Sequence, residues 1–298
     1  MVNEERDIRA KIFEDTRNHY RNNAVLQEAV ERSRKLQKLI LESDEIEPYE
    51  PYRPLLMEGE CNIYEPDGAD HHNITVSRKR SFEAAMQYAN RGLNTAVLNF
   101  ASATQPGGGV RTGAGAQEEC LCRCSTLYPC LDIKEMWDGF YSPHRAAQDP
   151  IHNGDIIYTP NVVVFKTDTA RPELMPEKDW FKVDVITCAA PNLNSKSSNR
   201  YNPQDGANKP VISDSELMEI HINRLTRILE TAYIHHCEAV ILGAFGCGAF
   251  KNPPEIVAKA AKSVTDAYRN KFADIEFAVH CRPGDDRNYR VFEGVLYD

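Results

Sequence analysis

The chain has 298 residues, of which 42% are hydrophobic and 27% are charged, and its net charge is −9. This composition supplies enough apolar material for a core and fits one large α/β domain with an extension. The negative charge argues against a general nucleic-acid binder, which needs a broad basic face, but it permits an anionic ligand held in a cleft by backbone N–H groups.

The start of the chain is charged and lacks the apolar core of a secretory signal, and no run is long enough to form a membrane-spanning helix. The nine cysteines are odd in number and scattered, as is typical of reduced thiols. We therefore expect a cytoplasmic protein that has no membrane contact and is a monomer.

Residues 4–45 predict helix, because apolar residues recur at helical spacing among many charges. The proline-rich segment 47–54 ends this pattern. We interpret residues 1–54 as a helical N-terminal extension that packs on a main domain of residues 55–298.

Further along the chain, short apolar runs alternate with helical patterns. The runs that predict buried strands lie at 95–100, 161–166, 183–190, 238–245 and 275–281. The helical patterns lie at 81–92, 116–131, 213–236 and 253–272. Long loops are predicted at 138–160 and 191–212. This alternation predicts an α/β domain with a mostly parallel or mixed sheet.

Two glycine-rich segments follow predicted strands, which is where ligands bind in open α/β sheets. Residues 107–109 are three consecutive glycines, and Gly243, Gly246 and Gly248 follow a later strand. The second segment runs toward a helix N-terminus and could form an anion site, although a plain structural turn explains the same pattern. It contains no GK[ST], which excludes the nucleoside-triphosphate P-loop.

After the glycine triplet and seven further residues come Gln117, Glu118 and Glu119. Acids in the first turn of a helix can simply complement its dipole. Alternatively, two adjacent carboxylates disfavour double ionisation, so that one stays protonated, and a neutral carboxylic acid is what cleavage of a glycosidic bond requires. The dipole favours the charged forms, so the pattern alone leaves both interpretations open.

Asn99, PGGG at 106–109 and QEE at 117–119 together resemble the signature of microbial-type poly(ADP-ribose) glycohydrolases. Other segments resemble further landmarks of that family: LYPCL after the signature, APN (190–192) and GAFGCGAFKN (243–252). The resemblance covers about residues 94–292, and the helical N-terminus resembles the family's accessory region. It implies a macrodomain-like three-layer α/β/α fold with a mixed, largely parallel sheet, in agreement with the α/β pattern.

The resemblance also implies an activity, which is hydrolysis of the ribose–ribose O-glycosidic bonds of poly(ADP-ribose) with release of ADP-ribose. Glu119 would be the general acid and base, Glu118 would bind ribose hydroxyls, and Gln117 would support their loop. The implied distal-ribose contacts are Asn99, Gly107, Gly108 and Gly109. The implied diphosphate loop is Gly246, Cys247, Gly248 and Ala249, followed by Phe250 stacked on the ligand.

The implied partners are poly(ADP-ribose) or ADP-ribosylated proteins, with ADP-ribose as product, and no metal or cofactor is implied. Two other functions stay open: a non-catalytic ADP-ribose reader, and a hydrolase that removes single ADP-ribose units from protein or nucleic acid. The intact Glu118–Glu119 pair favours a hydrolase, because a pure reader does not require it.

Three further features lie outside this set of implied contacts. Ser102 stands where many macrodomains have a second Asn, and residues 73–85 are our interpretation of the adenine pocket. The cysteines between 120 and 130 lack a common zinc spacing, so we interpret them as buried structural thiols.

Overall fold

The computed structural model describes residues 2–46, 74–194 and 210–298. Its centre is a seven-stranded sheet in the order β1-β4-β5-β3-β6-β7-β2. The strands are β1 (Lys38–Ile40), β2 (Ile74–Ser77), β3 (Thr95–Phe100), β4 (Ile156–Val164), β5 (Phe181–Cys188), β6 (Ala239–Leu242) and β7 (Asp274–Ala278). Strands β5, β3, β6, β7 and β2 pair in parallel, whereas β4 is antiparallel to both β5 and β1. The sheet is therefore mixed and largely parallel, which confirms the predicted fold class.

Helices cover both faces of this sheet. They are α1 (Val2–Asn22), α2 (Ala24–Leu36), α3 (Ser81–Ala89), α4 (Gln117–Cys124), α5 (Leu127–Leu131), α6 (Lys134–Met136), α7 (Ser142–Ala147), α8 (Asp214–Ile234), α9 (Pro254–Tyr268) and α10 (Arg287–Tyr297). Helices α8, α9 and α10 pack against one face, and α1, α3, α4 and α5 against the other. Strand β3 serves both cores, because Ala96 and Leu98 join the first cluster while Val97 joins the second.

The N-terminal segment is not helical throughout, as residues 4–45 were predicted to be. Helix α2 ends at Leu36, and β1 pairs with β4, Ile40 lying opposite Ile156. Asn23 separates α1 from α2 and caps α2 by accepting the backbone N–H of Val25. A three-residue edge strand is too short to show its own periodicity. The proposed division at residues 54 and 55 lies outside the described residues and stays a prediction.

Two further elements differ from their predictions. The pattern at 116–131 is two helices, because Ser125 leaves the helical path to bridge Val164 of β4. The segment 138–160 is not a loop: it contains most of a π-helical turn, α7 and the first half of β4. Pro160 and Asn161, which has a φ of 58°, form an irregularity within β4 that hides its alternation in the sequence.

The remaining differences concern the ends of the chain and its loops. Helix α10 had no predicted counterpart, and most of the predicted loop 191–212 lies outside the described residues. Among the described helices, none combines the length and the apolar character needed to cross a bilayer.

Candidate active site

The two glycine-rich loops follow the neighbouring parallel strands β3 and β6, so both emerge at the same edge of the sheet. The aromatic rings of Phe100 and Phe245 lie 5.7 Å apart between these loops. A Cβ on Gly243 would stand 2.9 Å from the Phe100 ring, which explains the absence of a side chain there. The starts of the two loops are therefore packed against each other through these rings.

Gln117 fixes the start of α4 to the end of β3. Its Oε1 accepts the backbone N–H of Phe100 at 2.9 Å, and its Nε2 donates to the carbonyl oxygen of Leu98 at 2.7 Å. The same amide donates to Ser81 Oγ at 3.0 Å on α3. Gln117 thereby determines where the two following acids stand.

Glu118 is only 2% exposed and both of its carboxyl oxygens are held. Oε2 accepts the backbone N–H of Ser102 at 2.8 Å, and Oε1 lies 3.4 Å from Asn99 Nδ2. Burial, followed by the charge of Glu119, raises the pKa of Glu118 well above its ordinary value, against the opposing effect of these hydrogen bonds. Ser102 thus contributes its backbone to the site.

Glu119 is 7% exposed, and its two carboxyl oxygens differ in their hydrogen bonding. Oε1 accepts the backbone N–H of Gly109 at 2.9 Å. Oε2 is buried and has no hydrogen-bond partner among the described residues. One oxygen is therefore oriented by the glycine loop, while the other is left without a hydrogen bond in the described structure.

The glycine triplet is needed for this arrangement. Gly107 and Gly108 have φ values of 64° and 54°, a region that other residues adopt only with strain. A Cβ on Gly108 would lie 2.6 Å from Glu119 Oε1, and a Cβ on Gly107 would lie 2.7 Å from the Tyr128 ring. The loop can approach the acids closely only because it carries no side chains.

Asn99, the predicted ribose ligand on β3, has no exposed surface. Its Nδ2 donates to Thr187 Oγ1 at 3.2 Å and to Glu118, while its Oδ1 is buried without a partner in the described structure. Asn99 therefore supports Glu118, and its contact with ribose stays a prediction.

The second loop is shaped by a buried polar pair, Asn252 and His221, of which only Asn252 lies in a segment that the sequence singled out, GAFGCGAFKN. Asn252 Nδ2 donates to the carbonyl oxygens of Pro191 at 2.7 Å and Gly246 at 3.1 Å, and its Oδ1 lies 2.9 Å from His221 Nε2. Burial lowers the pKa of His221 to about 4, so the imidazole is neutral and its Nε2–H is the donor. Gly246 has a φ of 78°, and a Cβ there would lie 2.6 Å from Asn252 Nδ2.

A cleft of about 840 Å³ opens beside both loops. Its lining includes Gln117 and the predicted ligand loop Gly246, Cys247, Gly248, Ala249 and Phe250. Arg80 and Ser81, from the segment interpreted as the adenine pocket, also line it. The lining does not include Glu118, Glu119, Asn99 or the glycine triplet. The structure thus places the predicted diphosphate loop on the cleft and the buried carboxylates on the helix that forms one of its walls.

Asp168 is a cleft residue that no sequence pattern marked. Its Oδ2 accepts the backbone N–H of Phe82 at 3.0 Å, whereas Oδ1 is buried without a partner among the described residues. Burial raises its pKa. It is a single acid in the loop after β4, and only the fold brings it to the start of α3.

The cysteines near α4 fall into two groups. Cys122, Cys124 and Cys130 are completely buried free thiols whose pKa values are raised by burial. Cys120 instead lines the cleft, with its sulfur 3.2 Å from Arg123 Nη2. Within the described part of the chain, no group of three or more His, Cys, Asp or Glu side chains is placed to hold a metal ion.

Comparisons with known proteins agree with one another. The sequence model described as the catalytic domain of microbial-type PARG matches residues 14–167, more than half of the chain. The crystal structure of poly(ADP-ribose) glycohydrolase (PARG) from Thermomonospora curvata is 26% identical, with a TM-score of 0.77 over 96% of this chain and 98% of that chain. The PARG of Deinococcus radiodurans in complex with ADP-ribose is 26% identical, with a TM-score of 0.69 over 90% of this chain and 97% of that chain.

A structure of the Thermomonospora curvata enzyme bound to the inhibitor ADP-HPD is also similar, with 26% identity and a TM-score of 0.75 over 96% of this chain and 98% of that chain. None of the curated proteins matches the sequence.

Proposed function

The chain belongs to the microbial-type PARG catalytic domain family, and from this membership we propose that it is a poly(ADP-ribose) glycohydrolase that cleaves ribose–ribose O-glycosidic bonds and releases ADP-ribose. The observation that carries the proposal is the buried Glu118–Glu119 pair, held by backbone N–H groups beside a large cleft. Related structures contain ADP-ribose and the inhibitor ADP-HPD.

Glu119 is the proposed general acid and base. Its Oε2, which has no partner among the described residues, would protonate the ribose oxygen that leaves and would then take a proton from the attacking water. The backbone N–H of Gly109 donates to the other oxygen, Oε1, and this hydrogen bond restricts rotation of the carboxyl group. This proton relay is carried by a side chain of the protein and requires no metal.

Glu118 is proposed to bind the ribose hydroxyls and to fix the scissile bond near Glu119. Its raised pKa favours the neutral acid, which can both donate to a hydroxyl group and accept from one.

The cleft is proposed to hold the rest of the ADP-ribose unit. Backbone N–H groups of the loop Gly246, Cys247, Gly248 and Ala249 would bind the diphosphate, because a glycine-rich turn at a strand end presents such groups to an anion. The N–H of Cys247 is the exception, because it donates to the carbonyl oxygen of Ala244 at 3.1 Å. Phe250 is half-buried at the cleft and would stack on the ligand. The proposed partners are therefore poly(ADP-ribose) or ADP-ribosylated proteins, with ADP-ribose as product.

The test is parallel incubation of the protein with poly(ADP-ribose) and with mono-ADP-ribosylated protein, followed by chromatography of the released products. We expect ADP-ribose to be released from the polymer. Release from the mono-ADP-ribosylated protein alone would assign the chain to the removal of single units. Release from neither substrate, together with ADP-ribose binding, would make it a non-catalytic reader.

A further inference from the structure

A second cavity, of about 520 Å³, lies between the N-terminal helices and the loop that follows the glycine triplet. Four arginines line it, Arg17, Arg21, Arg34 and Arg111, against two acids, Glu31 and Asp132. This local excess of positive charge stands out in a chain whose net charge is −9. We refer to this cavity as the arginine pocket.

The charge of this pocket is only partly neutralised by the protein. Arg17 pairs with Glu14 at 2.7 Å, and Arg111 pairs with Asp132 at 2.9 Å. Arg34 donates to the carbonyl oxygen of Pro129 at 2.7 Å, and in the described structure neither Arg34 nor Arg21 forms an ion pair. The positive charges of Arg21 and Arg34 are therefore not neutralised by an acid of the described structure and can attract an anion.

The arginine pocket and the Glu118–Glu119 pair lie on two sides of one loop. Tyr128 lines the pocket, its hydroxyl accepting from Arg111 Nε at 2.7 Å, and a Cβ on Gly107 would lie 2.7 Å from its ring. The next residue, Gly108, approaches Glu119 instead. A polymer that crosses this loop can contact both places.

Helix α1 also connects this pocket to the main cleft. Arg9 Nε donates to the carbonyl oxygen of Gly113 at 2.7 Å, and a Cβ on Gly115, which lines the cleft, would lie 3.3 Å from Arg9 Nε. Further along the same helix, Arg17 and Arg21 line the arginine pocket. Helix α1 carries as many acidic as basic residues, but it places Arg9 at the edge of the cleft and Arg17 and Arg21 at the pocket.

We propose that the arginine pocket binds a diphosphate group of poly(ADP-ribose), in the unit beyond the bond that Glu119 cleaves. Guanidinium groups match phosphate oxygens geometrically and stay charged at all physiological pH values. The inference rests on the proposed function, because it takes the same polymer as ligand and assigns it a second contact. ADP-ribose has a single diphosphate group, which the proposed function already places in the cleft, so a second diphosphate contact requires the polymer.

The test uses the full-length Glu119→Gln protein as parent, because turnover is blocked in it. Its affinity for poly(ADP-ribose) of defined length and for ADP-ribose is measured over a series of salt concentrations. Arg17→Gln/Arg21→Gln is introduced into this parent. The matched control is Arg32→Gln/Arg171→Gln, which removes the same charge from two exposed ion pairs outside the pocket. Arg21→Gln alone serves as a second variant, because Arg21 is exposed and makes no ion pair in the described structure.

We expect the pocket variant to bind polymer about tenfold more weakly and the slope of log Kd against log salt to fall by about 0.7 for each lost phosphate contact. Its ADP-ribose affinity should equal that of the parent, which also shows that the variant is folded. Equal polymer affinity of the pocket and control variants, or no polymer binding by the parent, would overturn the proposal. Polymer hydrolysis by the wild-type chain is measured separately, so the hydrolase assignment and this pocket succeed or fail independently.

Discussion

Gly108→Ala tests whether the glycine triplet exists to position Glu119. The new Cβ would lie 2.6 Å from Glu119 Oε1 and 3.1 Å from Glu118 Oε2, and the residue would keep a φ of 54°. A left-handed conformation costs a non-glycine residue about 1–2 kcal/mol. The contact adds to this cost, because the carboxyl group that must move is held by the backbone N–H of Gly109.

The effect on rate can be worked out from these distances. To restore an ordinary contact near 3.4 Å, Glu119 Oε1 must move by about 0.8 Å, and a misplacement of about 1 Å at a reacting group costs about 10²-fold in rate. We expect kcat on poly(ADP-ribose) to fall by about that factor. ADP-ribose affinity should change much less, because the diphosphate loop is untouched.

Gly92→Ala is the matched control. Gly92 has a φ of 82°, but a Cβ there meets nothing within 4 Å, so this variant carries the backbone strain without the contact. Both variants should lose about 1–2 kcal/mol of unfolding free energy from the left-handed backbone, measured by urea denaturation. Only Gly108→Ala should lose activity, and wild-type kcat in that variant would refute the assigned role of the loop.

Three further predictions concern the neighbouring residues. Phe250→Ala should weaken ADP-ribose binding by about 1–3 kcal/mol in calorimetry, the usual effect of losing a stacked aromatic ring; unchanged affinity would remove Phe250 from the site. Glu118→Gln should flatten the pH dependence of Tm. Because the pKa of Glu118 is raised in the folded state, the folded protein keeps above pH 4.5 a proton that the unfolded chain releases. The free energy of unfolding of the wild type therefore falls as the pH rises through this window, by about 1.4 kcal/mol for each unit by which the pKa is raised. A variant with the wild-type pH profile would contradict this. Gly246→Ala should lower the free energy of unfolding, measured in urea, by about 2–4 kcal/mol. The reason is that the new Cβ would lie 2.6 Å from Asn252 and 2.7 Å from Ala190. Gly248→Ala is the control and should be nearly neutral, because a Cβ there has no neighbour within 4 Å.

The parts of the fold that could be predicted are those with a strong local signal. Strand β3 spans Thr95–Phe100 as expected, because a short, mostly apolar run between helical patterns has few other interpretations. Strand β4 was only half recognised, since Pro160 and Asn161 interrupt its pattern. Strand β1 has three residues and becomes visible only through its pairing with β4.

The same distinction holds within the site. Glu118, Glu119 and the glycine triplet stand close together in the chain, so their spacing is visible in the sequence itself. Asn252 and His221 are separated by 31 positions, and their hydrogen bond exists only because α8 packs beside the loop before α9. His221 has no local pattern that distinguishes it from a surface residue, and Asn252 ends the GAFGCGAFKN segment without a role that the segment itself reveals.

The arginine pocket is the feature of this structure that the sequence predicts least. Its residues come from α1, α2, α5 and the loop after the glycine triplet, which are separated by up to about a hundred positions. The overall charge suggested a protein that would repel a polyanion. Only the fold shows that positive charge is gathered beside the loop that holds Glu119.

The most direct test of the proposed activity is the rate at which wild-type and Glu119→Gln proteins release ADP-ribose from poly(ADP-ribose), measured beside ADP-ribose affinity by calorimetry. The variant keeps the shape of the side chain and loses the titratable carboxyl group, so we expect its rate to fall by about 10²–10⁴-fold while ADP-ribose affinity is retained. A Glu119→Gln protein that hydrolyses the polymer at the wild-type rate would contradict the assignment of Glu119 as the acid.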